Sequence, residues 1–214
     1  MIRQGRVTVD GEVVLAMGTK ITPENQKICV DGRPVIMSEK TLTVLLNKPG
    51  GYVTTLSDPQ GRPLVTSLLQ GIHARLFPVG RLDLDTEGAL ILTNDGDLAE
   101  SIQHPRFEVK KTYEARVHGF PTPRDLVRLE RGIVLDGKKT SPATVAIVQK
   151  EKDTTLVRIT IHEGRKRQVK KMFSAVGKPV VQLKRIAYGR LYLKNLPVGK
   201  YRILTPDDIK NIFL

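Results

Sequence analysis

A short acidic turn, followed at once by an apolar run, is the part of this sequence best suited to chemistry. The turn holds Asp83 and Asp85, and residues 89–92 (Ala-Leu-Ile-Leu) follow it. A short apolar run next to turn residues is typical of a buried strand. Such a strand would fix the side chain of Asp83 at the mouth of a site. From these residues alone, Asp83 is a candidate either for chemistry or for hydrogen bonds to the amides of its own turn.

The charge of the chain indicates a polyanionic partner. Its 214 residues include 35 Lys and Arg against 22 Asp and Glu, which gives a net charge of +13. An excess of this size attracts phosphate backbones. No apolar stretch approaches the roughly 20 residues of a membrane-spanning helix, and no segment has the layout of a signal peptide. We therefore expect a cytoplasmic protein that binds nucleic acid and has no membrane partner.

The sequence gives little support for a metal site. Residues 83–88 match the start of a calcium loop, but the twelfth position is Asn94, where a bidentate Glu is needed. A magnesium nuclease could use Asp83, Asp85, Asp95 and Asp97, although residues 95–97 are better explained as a turn and a helix cap. Four scattered histidines and one cysteine, Cys29, show no metal-ligand spacing. We predict no metal and no cofactor, and keep the nuclease as a remote alternative.

A basic segment at residues 165–176 predicts an amphipathic helix. Val169, Met172, Phe173 and Val176 recur at i, i+3, i+4 and i+7, so they would form one apolar stripe against a core. The stripe fixes which way the cations of the same helix point. It therefore separates cations that border the core from cations that face solvent.

The cations of this helix fall into two groups. At about 100° per residue, Lys166 and Lys170 border the stripe, whereas Arg167 and Lys171 point away from it. A border lysine can run its methylenes along the core and place its ammonium in an adjacent cleft. The outward pair can meet phosphates, as can a helix N-terminus opened by Gly164. A solvated basic face is the plainer alternative, but five cations in residues 165–171 favour phosphate contact.

The order of elements predicts an α+β fold with two domains, 1–37 and 38–214. Short strands joined by tight turns outnumber helices, which favours a largely antiparallel sheet. The predicted strands are 6–9, 12–15, 28–30, 42–46, 89–92, 110–118, 144–148, 155–161, 180–186 and 202–204. The predicted helices are a short one capped by Asp97, one running from Thr122 to about Gly132, the basic helix, and a last one capped by Thr205. Asn47, Lys48 and Pro49 are expected in a loop.

Several segments together resemble a known family. Residues 80–83 (Gly-Arg-Leu-Asp) with 92–96, then 111–113 (Lys-Thr-Tyr), then 163–173 are similar to the three motif regions of a pseudouridine synthase of the RsuA/RluB type. Residues 47–49 and 76–79 also resemble that branch, and the likeness covers about residues 40 to 210. It implies a pseudouridine synthase fold, built on a largely antiparallel mixed sheet with flanking helices.

The first domain resembles only the second half of an S4 RNA-binding domain. The likeness covers residues 2–35, including 3–11 (Arg-Gln-Gly-Arg-Val-Thr-Val-Asp-Gly). In that family two further helices usually precede this point, so we expect a partial S4-like domain here. Arg6 is its candidate RNA contact.

The resemblance also implies roles for individual residues. Asp83 would be the catalytic aspartate, Tyr113 the aromatic residue that stacks on the target base, and Lys170 the cation paired with the aspartate, with Arg167 as the fallback. We expect RNA contacts from the basic residues around the cleft: Arg81, Arg165, Lys166, Arg167 and Lys171.

The implied reaction turns uridine into pseudouridine without a redox change or an outside reactant. The N1–C1′ bond breaks, the base turns, and C5 bonds to C1′. Asp83 would either attack C1′ or take the C2′ proton, and an ammonium from Lys170 would favour its ionised form. The base must leave its stack, a cost that stacking on Tyr113 can offset.

The expected partner is ribosomal RNA, free or in a pre-ribosomal subunit, bound by a monomer. Residues 164–172 and 183–189 resemble the large-subunit enzymes, so large-subunit RNA is the predicted substrate and small-subunit RNA the alternative. A ribosome-assembly factor that binds RNA without chemistry is the rival from another class.

Overall fold

The computed structural model describes residues 1–22, 25–35 and 40–214 and divides the chain into two compact units, Met1–Lys40 and Thr41–Leu214. The predicted boundary between residues 37 and 38 lies outside the described residues. In the described part, no helix is long and apolar enough to cross a membrane.

The first unit is a small antiparallel sheet of four strands. After a 3₁₀ turn at Ile2–Gln4 come β1 (Val7–Val9), β2 (Glu12–Val13), β3 (Ile28–Val30) and β4 (Arg33–Pro34), in the order β2-β1-β3-β4. The hairpins predicted at Asp10-Gly11 and Asp31-Gly32 are confirmed, and both aspartates have positive φ, as tight hairpin turns require. Arg6 forms an ion pair with Asp31 at 2.5 Å.

The second unit is a nine-stranded sheet with helices on both faces. Its strands are β5 (Thr43–Lys48), β6 (Phe77–Pro78), β7 (Glu87–Thr93), β8 (Lys111–His118), β11 (Thr144–Lys150), β12 (Thr154–Ile161), β13 (Val180–Tyr188), β14 (Leu191–Tyr192) and β15 (Tyr201–Ile203), while β9 (Val134–Leu135) and β10 (Lys138–Lys139) form a separate hairpin. The helices are α1 (Gly96–Gln103), α2 (Pro123–Arg131), α3 (Gln168–Ala175) and α4 (Pro206–Ile212).

The sheet runs in the order β11-β12-β8-β13-β7-β5-β15, and β13 with β7 is its parallel pair. The predicted largely antiparallel mixed sheet is therefore confirmed. The parallel pair is unusually close at Gly88, where φ is +103° and an added Cβ would lie 2.1 Å from the carbonyl oxygen of Arg185. Only glycine fits this position. The close approach places the end of the acidic turn against β13.

Two hydrophobic cores lie on opposite faces of the sheet because successive side chains of a strand alternate. Along β7, Leu90 and Leu92 enter one core, and Ala89 and Ile91 enter the other. The first core also takes residues of α2 and α3, and the second takes residues of α1 and α4. Helices therefore cover both faces, and the predicted apolar stripe of α3 is buried as expected.

Most helix boundaries follow the predicted caps. Thr122 and Thr205 each accept a hydrogen bond from the third residue of the helix, and both form complete capping boxes followed by proline. The prediction that Asp97 caps α1 is wrong. Asp95 is the cap, accepting a bond from the Leu98 amide at 2.9 Å, because it is the residue with extended backbone, while Asp97 lies inside the first turn.

Candidate active site

The turn that carries Asp83 is held by the segment that follows β5. The Gly51 amide donates to the Leu84 carbonyl oxygen at 2.8 Å, and the Thr54 hydroxyl donates to that of Leu82 at 2.9 Å. The turn closes on itself through a bond from the Thr86 amide to the Asp83 carbonyl oxygen at 3.1 Å. These bonds fix the main chain on both sides of Asp83, whose side chain is half-buried.

Lys48 is a buried cation beneath this turn. Its Nζ donates to the carbonyl oxygens of Asp83 at 3.2 Å and Thr86 at 2.8 Å, with further bonds to those of Pro49 and Leu84. The residue is 0% exposed. Burial lowers the pKa of Lys48 to about 8, which still leaves the ammonium protonated at neutral pH. The prediction that Asn47 and Lys48 lie in a loop is wrong, since both belong to β5, where burial holds the cation in place.

Asp83 and Tyr113 line one cleft of about 640 Å³. Tyr113 lies on β8 and is 8% exposed, so its ring forms part of the wall. Its hydroxyl accepts a hydrogen bond from Arg185 Nη1 at 3.4 Å. The predicted aspartate and aromatic residue, 30 positions apart in sequence, therefore lie at the same cavity.

Two further cations of the cleft were missed by the sequence interpretation. Arg185 is 3% exposed, and its Nε donates to the Ala89 carbonyl oxygen at 2.7 Å. Lys111 is half-buried and donates to the Val109 carbonyl oxygen at 3.0 Å. Burial, followed by the charge of Arg185, lowers the pKa of Lys111 to about 8. The period-two pattern of β13 contained the signal for Arg185, because it places this residue on the same face as the buried Leu183.

Lys170 does not form the predicted ion pair with Asp83. Its Nζ lies 2.5 Å from Oδ1 of Asp85, two residues along the same turn, and its side chain is 13% exposed. This hydrogen bond holds the pKa of the Asp85 carboxyl below its ordinary value. Lys170 thus reaches the acidic turn, but the carboxylate that it contacts is Asp85, and Lys170 is not among the described residues that line the cleft.

The basic helix begins later than predicted. Residues 165–167 precede it, and α3 starts at Gln168, because Arg167 adopts a left-handed backbone with φ +54° that a helix cannot include. The Arg165 guanidinium donates to the carbonyl oxygens of Lys138 and Lys139 at 2.8 and 2.6 Å. Lys166 and Arg167 are exposed and line the cleft. The prediction that both lie on the helix is wrong, because both lie in the turn before it.

The other predicted RNA contacts have different surroundings. Arg81 is exposed at the cleft. Lys171 forms an ion pair with Asp136 at 2.5 Å, with its side chain 38% exposed. The cleft therefore carries cations at its rim, Arg81, Lys166 and Arg167, and cations in its wall, Lys111 and Arg185.

Residues 42–175 match the model of a family of RNA pseudouridylate synthases. The chain belongs to this family. It is 45% identical to the ribosomal large subunit pseudouridine synthase B of Bacillus subtilis, over 99% of this chain and 87% of the relative. It is 36% identical to the ribosomal small subunit pseudouridine synthase A of Salmonella typhimurium, over 99% of this chain and 90% of the relative.

A solved structure supports the same family assignment. A pseudouridylate synthase crystal structure that is 32% identical to this chain superimposes with a TM-score of 0.75, covering 99% of this chain and 90% of the other. The protein is therefore an RNA pseudouridine synthase, and the predicted fold class and enzyme class are confirmed. In this pseudouridine synthase the cleft between the Asp83 turn, β8 and β13 is the candidate active site.

Proposed function

We propose that this pseudouridine synthase isomerises a specific uridine of large-subunit ribosomal RNA. The observation that supports this substrate most is the likeness to the Bacillus subtilis large-subunit enzyme, at 45% identity over 99% of the chain, against 36% for the small-subunit relative. Residues 164–172 and 183–189, which lie in and next to the cleft, point to the same substrate. The RNA is bound by a monomer in the cytoplasm, either free or within a pre-ribosomal subunit.

Asp83 is the proposed catalytic carboxylate. It lies on a turn held by Lys48, Gly51 and Thr54, so its main chain is fixed before substrate arrives. Such preorganisation favours reaction because less reorganisation remains in the transition state. Asp83 acts at the ribose, N1 leaves C1′ with the bonding electron pair, and the base returns through C5. The C5 proton is lost and N1 gains one, so the isomerisation balances without a cofactor.

Tyr113 and Lys170 are the proposed partners of Asp83. Tyr113 offers its ring to the flipped base from the cleft wall, which would offset part of the cost of unstacking. Lys170 supplies a positive charge to the acidic turn through Asp85. On this proposal the Lys170 ammonium stabilises the negative charge of the whole turn. It moves toward Asp83 only when RNA displaces Asp85.

The rim cations are the proposed contacts to the RNA backbone. Arg81, Lys166 and Arg167 are exposed at the cleft, where phosphates flanking the flipped nucleotide would pass. Arg165 and Lys171 contribute positive potential, although each also bonds within the protein. The first unit is the proposed partial S4-like RNA-binding domain, with Arg6 as its contact.

The substrate is tested by product mapping on unmodified RNA. The purified protein is incubated with transcripts of large-subunit and small-subunit ribosomal RNA, and pseudouridines are mapped in each. We expect one new site, in the large-subunit transcript. Modification confined to small-subunit RNA would overturn the substrate, and no modification of free or subunit-bound RNA would overturn the function.

A further inference from the structure

Arg185 is a buried cation whose hydrogen-bonding capacity is only partly used. Its Nε and Nη1 have partners in Ala89 and Tyr113, but Nη2 has no partner among the described residues. Fully buried donors in folded proteins are almost always bonded, so a vacant one calls for a functional explanation. Arg185 also lines the cleft that contains Asp83. Nη2 itself is closed to solvent in this structure, so a base in that cleft reaches this unused donor after a local shift of the side chains that cover it.

The charge of Arg185 also has no neutralising carboxylate beside it in the part of the chain that the structure describes. In the described part of the chain no carboxylate lies within 4.0 Å of its guanidinium. Two aromatic rings flank it, with Cζ 4.4 Å from the Tyr188 ring centroid and 5.8 Å from that of Tyr113. Burial raises the pKa of Tyr188 to about 12, so this phenol is neutral at physiological pH. A buried cation whose contacts are aromatic rings and neutral acceptors stabilises an anion that enters the cleft beside it.

The reaction creates an anion at this point. This inference rests on the proposed function, in which N1 keeps the electron pair of the broken N1–C1′ bond. The released uracil then carries a negative charge spread over N1 and the carbonyl oxygens O2 and O4. A donor that strengthens its bond as this charge develops stabilises the transition state more than the bound uridine.

We propose that Arg185 is a further catalytic residue, whose Nη2 donates to a carbonyl oxygen of the target uracil and stabilises the uracil anion. Its contact with the Tyr113 hydroxyl keeps it at the edge of a base that stacks on that ring. A base fits this donor better than a phosphate does. Arg185 is in the buried wall, whereas the phosphates of a continuous chain must pass the exposed rim formed by Arg81, Lys166 and Arg167.

The parallel pair of strands explains how this donor is positioned. Arg185 pairs with Gly88 across β13 and β7, at the point where the glycine allows close approach. Gly88 in turn follows the Asp83 turn by two residues. One strand contact therefore sets the spacing between the carboxylate that acts at the ribose and the cation that meets the base.

The test replaces one carbonyl oxygen of the target uracil at a time with sulfur and asks whether the resulting loss of rate depends on Arg185. Single-turnover rates are measured for wild type, Arg185→Met and Arg185→Lys on a large-subunit RNA fragment whose target is uridine, 2-thiouridine or 4-thiouridine. Sulfur is a poor hydrogen-bond acceptor. At one of the two positions, sulfur should therefore slow the wild type by about tenfold more than it slows Arg185→Met. Lys184→Met, on the opposite face of β13, should keep the wild-type thio effects.

Several results would overturn the proposal. Thio effects of equal size in wild type and Arg185→Met at both positions would assign Arg185 a structural role. A methylphosphonate at the target phosphate whose effect disappears in Arg185→Met would make it a phosphate ligand instead. If Arg185→Met does not fold, the test uses wild type alone. Equal single-turnover rates on the uridine, 2-thiouridine and 4-thiouridine RNAs then contradict the proposal. A wild type that is inactive on unsubstituted RNA would instead overturn the proposed function.

Discussion

Lys48 Nζ donates a hydrogen bond at 3.2 Å to the main-chain carbonyl oxygen of Asp83, from a position that solvent does not reach. The contact joins the last residue of β5 to the turn that carries the proposed catalytic carboxylate. Because the same ammonium also binds the Thr86 carbonyl oxygen, it spans the turn from Asp83 to the start of β7. The position of the carboxylate thus depends on a residue that never touches the cleft.

Lys48→Met should therefore weaken both the fold and the reaction. It leaves several carbonyl oxygens near Asp83 without their donor, so we expect a loss of about 2–4 kcal/mol in the free energy of unfolding. Turnover should fall as well, even at temperatures where the variant is folded. Lys200→Met, an exposed lysine next to β15, is the control and should stay within about 0.5 kcal/mol of wild type. Denaturant unfolding and single-turnover rates give both values; wild-type values in both would contradict this role.

Lys170 and Lys171 offer a matched comparison on one helix. Each forms an ion pair with an exposed aspartate at 2.5 Å, Lys170 with Asp85 and Lys171 with Asp136. The aspartate of each pair is exposed and stays solvated when its lysine is removed, so removing either lysine should cost less than about 1 kcal/mol of stability. Lys170→Met should nevertheless slow turnover by about 10- to 100-fold, since of these two lysines Lys170 is the one that contacts the acidic turn. Similar rates for the two variants would remove Lys170 from the proposed machinery.

The ion pair of Lys170 also predicts a titration. The hydrogen bond from Lys170 holds the folded pKa of Asp85 below its unfolded value. The pair therefore adds to the free energy of unfolding above the unfolded pKa, and this contribution is lost as pH falls through the folded pKa. In Lys170→Met the pKa of Asp85 should rise toward its ordinary value. NMR titration of the carboxyl carbons measures this directly, and an unchanged pKa would contradict the pairing.

Tyr113→Phe should separate binding from chemistry. The ring remains for stacking, so RNA affinity should stay within a few-fold of wild type. The hydroxyl that bonds to Arg185 is lost, and with it a group able to take part in proton transfer, so product formation should fall by about tenfold or more. Tyr192→Phe, at an exposed position of β14, is the control. Equal loss of affinity and rate would assign the hydroxyl a structural role.

Local patterns predicted the elements well but the buried charges poorly. The Thr-Pro caps and the Asp-Gly hairpins depend on adjacent residues, so Thr122 and Thr205 were assigned correctly from sequence. The role of Lys48 depends on carbonyl groups 35 to 38 residues away, which no local pattern reveals. The start of α3 was missed for a related reason, because the left-handed backbone of Arg167 overrides an otherwise helical pattern.

The candidate site was likewise predicted in part. The sequence motifs predict Asp83 and Tyr113 as site residues, and one cleft contains both. Local sequence does not predict the burial of Arg185, because a cation in a strand is usually exposed; here the Tyr113 and Tyr188 rings and the Ala89 carbonyl oxygen compensate for its burial. Lys170 was placed near the turn, but helical periodicity cannot choose between Asp83 and Asp85.

The most direct test of the central claim is isomerisation by wild type and Asp83→Asn on unmodified large-subunit ribosomal RNA. The substitution keeps the size of the side chain and removes the charge that we propose to act at the ribose, without changing the rim cations. We predict a pseudouridine at one site with wild type, none with Asp83→Asn, and RNA affinities that agree within a few-fold. Wild-type turnover by Asp83→Asn would contradict the assignment of this residue as the catalytic carboxylate.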